Sequence, residues 1–327
     1  MAYVGIQTQI RRNNFRSIVL LILFPGILLL LTWVFTLFVT IKTETYYDSY
    51  GYEQSNWSFN TLSANEFFVQ LIPFVLGATF LWFVIAYFSN TEMIRAATGS
   101  RPLQRNENKR VYNLVENLCM SQGMDLPKIN IIEDDSLNAF ASGIDKKSYT
   151  VTLSRGIIDT LNDEELETVI AHELTHIRNR DVRLLIVSIV FVGIFAFISQ
   201  MAFRMLLYGG NGRRSKDDKG GGIIILVLVL VLAVVGYICT LLFRFALSRK
   251  REFMADAGAA EMTKRPDALA SALRKIAQDS RIEAVERDDV AQLFIDNPKE
   301  KKRTLSFASL FATHPPIEKR IAVLEQF

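Results

Sequence analysis

Histidine and cysteine are the scarce residues of this 327-residue chain, with three of the first and two of the second. Cys119 lies in a polar segment and Cys239 inside an apolar run, so a structural disulfide is not expected, and neither has the spacing of a cysteine metal site. Charge is scarce in a different way. It is balanced overall, at +3, but missing altogether from four stretches: Ser17 to Ile41, Phe67 to Phe88, Leu184 to Phe203 and Ile223 to Phe243. No basic stripe is interleaved with aromatic residues, so nucleic acid is not an expected partner. Transporters carry ionisable groups within their spans; here Gln70 and Gln200 are among the few strongly polar side chains.

What the four runs do contain is apolar residues, in lengths at or above the roughly 20 that a helix needs to cross a bilayer core. Pro25, Gly26 and Pro73 are kinks that a membrane helix tolerates. The first run is too long for a signal peptide, lacks a convincing cleavage site and is followed by three more, so it reads as a span. Arg11, Arg12 and Arg16 precede it, while the loop 42–66 carries one Lys against Glu44, Asp48, Glu53 and Glu66. The N-terminus is therefore expected on the cytoplasmic side and that Tyr- and Trp-rich loop outside. Arg95, Arg101, Arg105, Lys109 and Arg110 follow the second run and return the chain to the cytoplasm.

The next segment reads as a folded domain, with a helix over Asn106–Gly123, strands at Lys128–Glu133 and Tyr149–Leu153, and a helix capped by Asn162. That last helix contains His172-Glu173-Leu174-Thr175-His176. Histidines four apart share a helix face and can bind one metal ion, with the intervening glutamate beside them as a general base. Two of only three histidines in this spacing is poorly explained as core packing.

Catalytic zinc is usually held by three protein ligands and a water. A histidine six residues after His176 is missing, since that position is Val182; the candidates are His314 or a carboxylate of the pair Glu252 and Asp256. These lie four apart on one face, so one could bind metal while the other accepts a proton from a ligand histidine. His176 lies eight residues before the third run and Glu252 nine after the fourth. If helix continues throughout, both stand roughly 12–14 Å beyond the bilayer core, and they meet on one side only if the last two runs form a hairpin. The turn within 208–222, with Arg213, Arg214, Lys216 and Lys219, then faces outside against the positive-inside tendency.

HELTH, Ser248–Asp256 (SRKREFMAD), Asn138–Gly143 (NAFASG) and Ala312–Ile321 (ATHPPIEKRI), in this order around two apolar pairs, resemble the HtpX family of membrane zinc endopeptidases, relatives of the CAAX prenyl proteases. The resemblance implies a mainly α integral membrane protein of about four transmembrane helices with a cytoplasmic α+β zincin-like metalloprotease domain. It implies one Zn2+ held by His172, His176 and Glu252, with Glu173 as catalytic acid and base and Asp256 behind a ligand histidine. Asn138 and Ala139 would begin an edge strand that aligns substrate, with an ordinary turn as the alternative; His314 would hydrogen-bond the developing oxyanion, with a structural cap as the alternative. The expected organisation is a transmembrane pair (1–90), a first catalytic part (91–183), a transmembrane hairpin (184–243) and a second catalytic part (244–327). Expected partners are the lipid bilayer and misfolded or damaged membrane proteins, in a bacterial-type cell membrane. The rival functions are site-specific tail processing, as in the prenyl proteases, and a non-enzymatic scaffold or transporter.

Overall fold

The computed structural model describes residues 6–47, 49–50, 52–208, 221–277 and 315–326. Helix α1 (Ile6–Val39) runs into a hairpin of β1 (Ile41–Tyr47) and β2 (Glu53–Phe59), and α2 (Thr61–Thr98) follows. The mixed part comprises β3 (Arg101–Pro102), α3 (Lys109–Gln122), β4 (Lys128–Ile132), β5 (Ala139–Ser142), β6 (Thr150–Ser154), α4 (Arg155–Thr160) and α5 (Asp163–Arg178). Then come α6 (Asp181–Tyr208), α7 (Gly221–Thr263), α8 (Pro266–Ile276) and a last helix, α9 (Ile317–Leu324).

The described chain divides into two compact units. One consists of Met1–Ile18, Tyr87–Ile189 and Phe243–Phe327; the other of Val19–Ala86 and Val190–Leu242. In the first, a four-stranded sheet has the order β3-β4-β6-β5, with β4 and β6 parallel and the other pairs antiparallel. β5 is an edge strand of this sheet, and α5 packs against it; α8 packs on α5, and α9 on α8. The core is aliphatic, built from residues such as Ile131, Leu153, Ile157, Val169 and Leu273.

Local signals explain the helix ends. Asn108 caps α3 by accepting from the Val111 amide, and Gly123, left-handed at φ 63°, closes it. Asn162 and Glu165 form the reciprocal capping box that opens α5. The segment 42–66, read from sequence only as an aromatic loop, contains the β1–β2 hairpin, with Ile41 opposite Phe59 and Tyr47 opposite Glu53. Its Thr, Tyr and Trp content favours strand.

The second unit is made of the apolar helices. Ser17–Val39 and Thr61–Thr98 are long and apolar enough to span a membrane; in α6 and α7 the described apolar stretches, Gly193–Met205 and Leu226–Ile238, are shorter. Phe195 of α6 is buried, edge-on to Phe24 of α1 at 5.3 Å, and packs where Gly236 of α7 leaves room: a Cβ there would lie 2.3 Å from its ring. Trp82 Nε1 of α2 donates to the Val190 carbonyl at 3.2 Å.

One geometric premise needs correction. α5 ends at Arg178 and α6 starts at Asp181, so helical rise does not carry from His176 into the third run. The break lies at Arg180, whose φ of 60° ends the α-helical path. α7, by contrast, is assigned as a single helix of 43 residues. Asp288–Arg303, expected to be irregular, lies outside the described residues.

Candidate metal centre

α5 carries His172, Glu173 and His176, and α7 brings Glu252 and Asp256 beside them. That approach depends on small residues in α7: Ala255 and Ala259 are fully buried, and a Cβ on Gly258 would lie 2.5 Å from the Thr175 methyl. A larger side chain would push the two backbones apart.

The sequence-predicted ligands converge. His172 Nε2 and His176 Nε2 are 3.2 Å apart, Glu252 Oε2 is 3.7 Å from the first, and Glu252 Oε1 is 3.7 Å from the second. Their ligand atoms all lie within 4.8 Å of one another. Ligands bound at about 2.0–2.1 Å around a tetrahedral ion sit about 3.3 Å apart, close to this spacing. Proton placement points the same way. His172 Nδ1 is 3.0 Å from Asp256 Oδ1, and His176 Nδ1 is 3.3 Å from Asp181 Oδ2. A carboxylate only accepts, so a proton on each Nδ1 would face a carboxylate and leave Nε2 turned toward the other ligands. Two imidazole nitrogens and a carboxylate oxygen converging on one point are a donor set that fits a metal ion.

The electrostatics are those of a buried, charged site. Burial works to lower the His172 pKa, but the contacts with Asp256 and Glu252 carry it up to about 9. Burial raises the Glu173 carboxyl above its ordinary range, opposed by His172 and His176 and helped by Glu252. Asp256 would be raised by burial too, yet Arg320 beside it holds it below the usual carboxylate value.

Arg320, on α9, carries no role in the sequence reading. Its side chain is 1% exposed, and it donates to both Asp256 oxygens at 2.7 and 2.9 Å while standing 3.6 Å from Glu252 Oε2. Asp181 was also missed, although it lies only five residues beyond His176.

Asn138 directly precedes β5 and is buried; its amide donates to Ser154 Oγ and its side-chain oxygen accepts from the Ala139 amide. Ala139 opens the strand, opposite Leu153. His314 lies outside the described residues.

Residues 105–327 match the sequence profile of Peptidase family M48. The chain is 63% identical to a "Protease HtpX homolog" of Bacteroides fragilis, with all of both chains covered. A protein of the same name from Dictyoglomus turgidum is 42% identical over 72% of this chain and 75% of its own. Another, from Lactobacillus helveticus, is 36% identical over 78% and 86%. The solved "Crystal Structure of S. mikatae Ste24p" aligns with a TM-score of 0.48 and 18% identity, over 77% of this chain and 58% of that one, too slight a likeness to bear on function. With the profile matched across two thirds of the chain and the Bacteroides fragilis HtpX homolog matched from end to end, the chain belongs to peptidase family M48, among the HtpX proteases, and is a metalloprotease.

Proposed function

We propose that the protein is a zinc-dependent endopeptidase that cleaves misfolded or damaged membrane proteins at a site on the cytoplasmic side of the membrane. The observation that carries this reading is the convergence of His172 Nε2, His176 Nε2 and Glu252 at 3.2 to 3.7 Å with Glu173 buried alongside. Two imidazoles and a carboxylate suit Zn2+, one per chain. When bound, the ion would supply Lewis acidity toward a water and the scissile carbonyl.

The chain's own groups do the rest. Glu173, its carboxyl held above the ordinary range by burial, takes the proton of the attacking water and delivers it to the leaving amine. Asp256, fixed by Arg320, holds the His172 ring in the tautomer that turns Nε2 inward. Asn138 and Ala139 align the substrate by strand addition at β5. In support, β5 is an edge strand and Ser154 N–H donates to the Asn138 carbonyl, so the backbone groups of Asn138 and Phe140 face β6 while those of Ala139 and Ala141 turn to the edge of the sheet. His314 is assigned the developing oxyanion on the sequence resemblance alone.

The membrane part of the reading has four spans, with the N-terminus and the site cytoplasmic in a bacterial-type cell membrane. It is supported by Arg11, Arg12 and Arg16 before the first run, by the acidic segment after it, and by two helices of spanning length. The test is cleavage of an unfolded membrane protein by the full chain in lipid vesicles, with and without a zinc chelator. The expected result is cleavage at internal sites, stopped by chelator and restored by zinc. Chelator-resistant cleavage, or cleavage confined to a prenylated tail peptide, would overturn it.

A further inference from the structure

The helix of the two histidines does not run on into the apolar helix that follows. Only Asn179 and Arg180 separate α5 from α6, and Arg180 takes the left-handed conformation that usually falls to glycine at a helix end. A non-glycine residue held there is a local cost, so what the bend achieves is informative. Its result is that Asp181, the first residue of α6, folds back onto the helix it has just left. The Asp181 carboxylate is buried and lies 3.3 Å from His176 Nδ1. The backbone carbonyl of the same residue accepts from Arg251 Nη1 at 3.3 Å, and Arg251, also buried, immediately precedes Glu252 on α7.

We propose that Asp181 is a positioning residue for the metal centre, joining at one point the ligand-bearing ends of α5 and α7 to the start of α6. Its carboxylate fixes the His176 ring as the Nδ1–H tautomer, as Asp256 does for His172, and its carbonyl sets the Arg251 turn of α7 that presents Glu252. The left-handed Arg180 is what makes a carboxylate five residues past His176 able to reach that ring. This inference rests on the metal-site reading above. It goes beyond it in making the turn 179–181, which binds nothing itself, a determinant of metal affinity.

The bland alternative is that Asp181 merely starts α6, where an acidic side chain is favourable anyway. Zinc affinity separates the two, measured on the full-length protein in detergent by competition with a chelator, alongside its thermal unfolding. Asp181→Ser keeps a helix-starting oxygen but is too short to reach the ring, and is expected to weaken zinc binding roughly 10- to 100-fold. Asp181→Asn keeps an oxygen that accepts from Nδ1–H, and is expected to stay within a few-fold of the parent. Parent-like affinity in Asp181→Ser, or equal losses in both variants, would overturn the proposal. A second pair covers the case in which Asp181→Ser does not fold. Arg180→Gly retains the left-handed turn and parent-like affinity, whereas Arg180→Val, which resists that conformation, loses about as much as Asp181→Ser. Equal affinity in this pair also overturns it. His176→Ala serves as the control: if it binds zinc like the parent, the metal-site reading itself has failed, not only the role of Asp181.

Discussion

The unit that holds the metal centre and the unit of apolar helices differ in where their polar side chains find partners. In the first, charged side chains bond across elements: the buried Arg320 on α9 to Asp256 on α7, and the partly exposed Lys275 on α8 to Glu165 on α5 and Arg110 on α3 to the carbonyls of Ile158 and Leu161. In the second, hydroxyls mostly bond back to their own helix, Thr32 to the Leu28 carbonyl, Thr40 to Thr36 and Thr79 to Val75. Apolar exposure reverses as well. Phe74 is 73% and Phe80 is 70% exposed in the apolar unit, while Phe140 in the sheet is fully buried. On the membrane reading proposed above, the difference is that of the surrounding solvent: water rewards buried carbon and cross-element polar pairs, whereas lipid rewards exposed carbon and local satisfaction of every polar group.

Substitutions can sharpen this contrast. The largest stability effect is expected from Arg320→Ala, which leaves Asp256 and Glu252 buried without their countercharge; a loss of about 3–5 kcal/mol should appear in chemical or thermal unfolding, together with weaker zinc binding. Next come two glycines. Gly258→Ala and Gly236→Ala each force an overpacked contact, against Thr175 and against the Phe195 ring respectively, at about 1–3 kcal/mol apiece. Only Gly258→Ala should lower zinc affinity, because only it spreads α5 from α7; an equal effect on zinc from Gly236→Ala would break the contrast between the units. The smallest effect is expected from Thr79→Val, since its hydroxyl serves only its own helix. A change within about 0.5 kcal/mol in detergent or lipid fits, and a large loss would mean that the hydroxyl bonds across helices.

Much of the metal centre was legible because its pieces are local. Histidines four apart, a glutamate between them and a second acidic pair four apart are readable once a helix is assigned, and the Asn162–Glu165 box assigns it. Asp181 and Arg320 escaped for a common reason. Asp181 acts through a left-handed turn at Arg180, and no local pattern marks a non-glycine residue as left-handed. Arg320 sits in a short run of charges, Glu318-Lys319-Arg320, that has no metal-ligand or catalytic spacing of its own; its partner Asp256 is on α7, distant in sequence. The hairpin after α1 was obscured because its aromatic residues suit a membrane belt as well as a strand. The continuous-helix premise failed at the same left-handed residue that concealed Asp181.

On the function proposed above, Glu173 performs the proton transfers of peptide hydrolysis at a metal held by its neighbours. The most direct measurement is made on Glu173→Gln in vesicles, with cleavage of an unfolded membrane substrate and zinc content determined on the same preparation. The predicted result is one zinc per chain with cleavage reduced by about 10²–10⁴-fold. Zinc retained together with parental cleavage would contradict the claim.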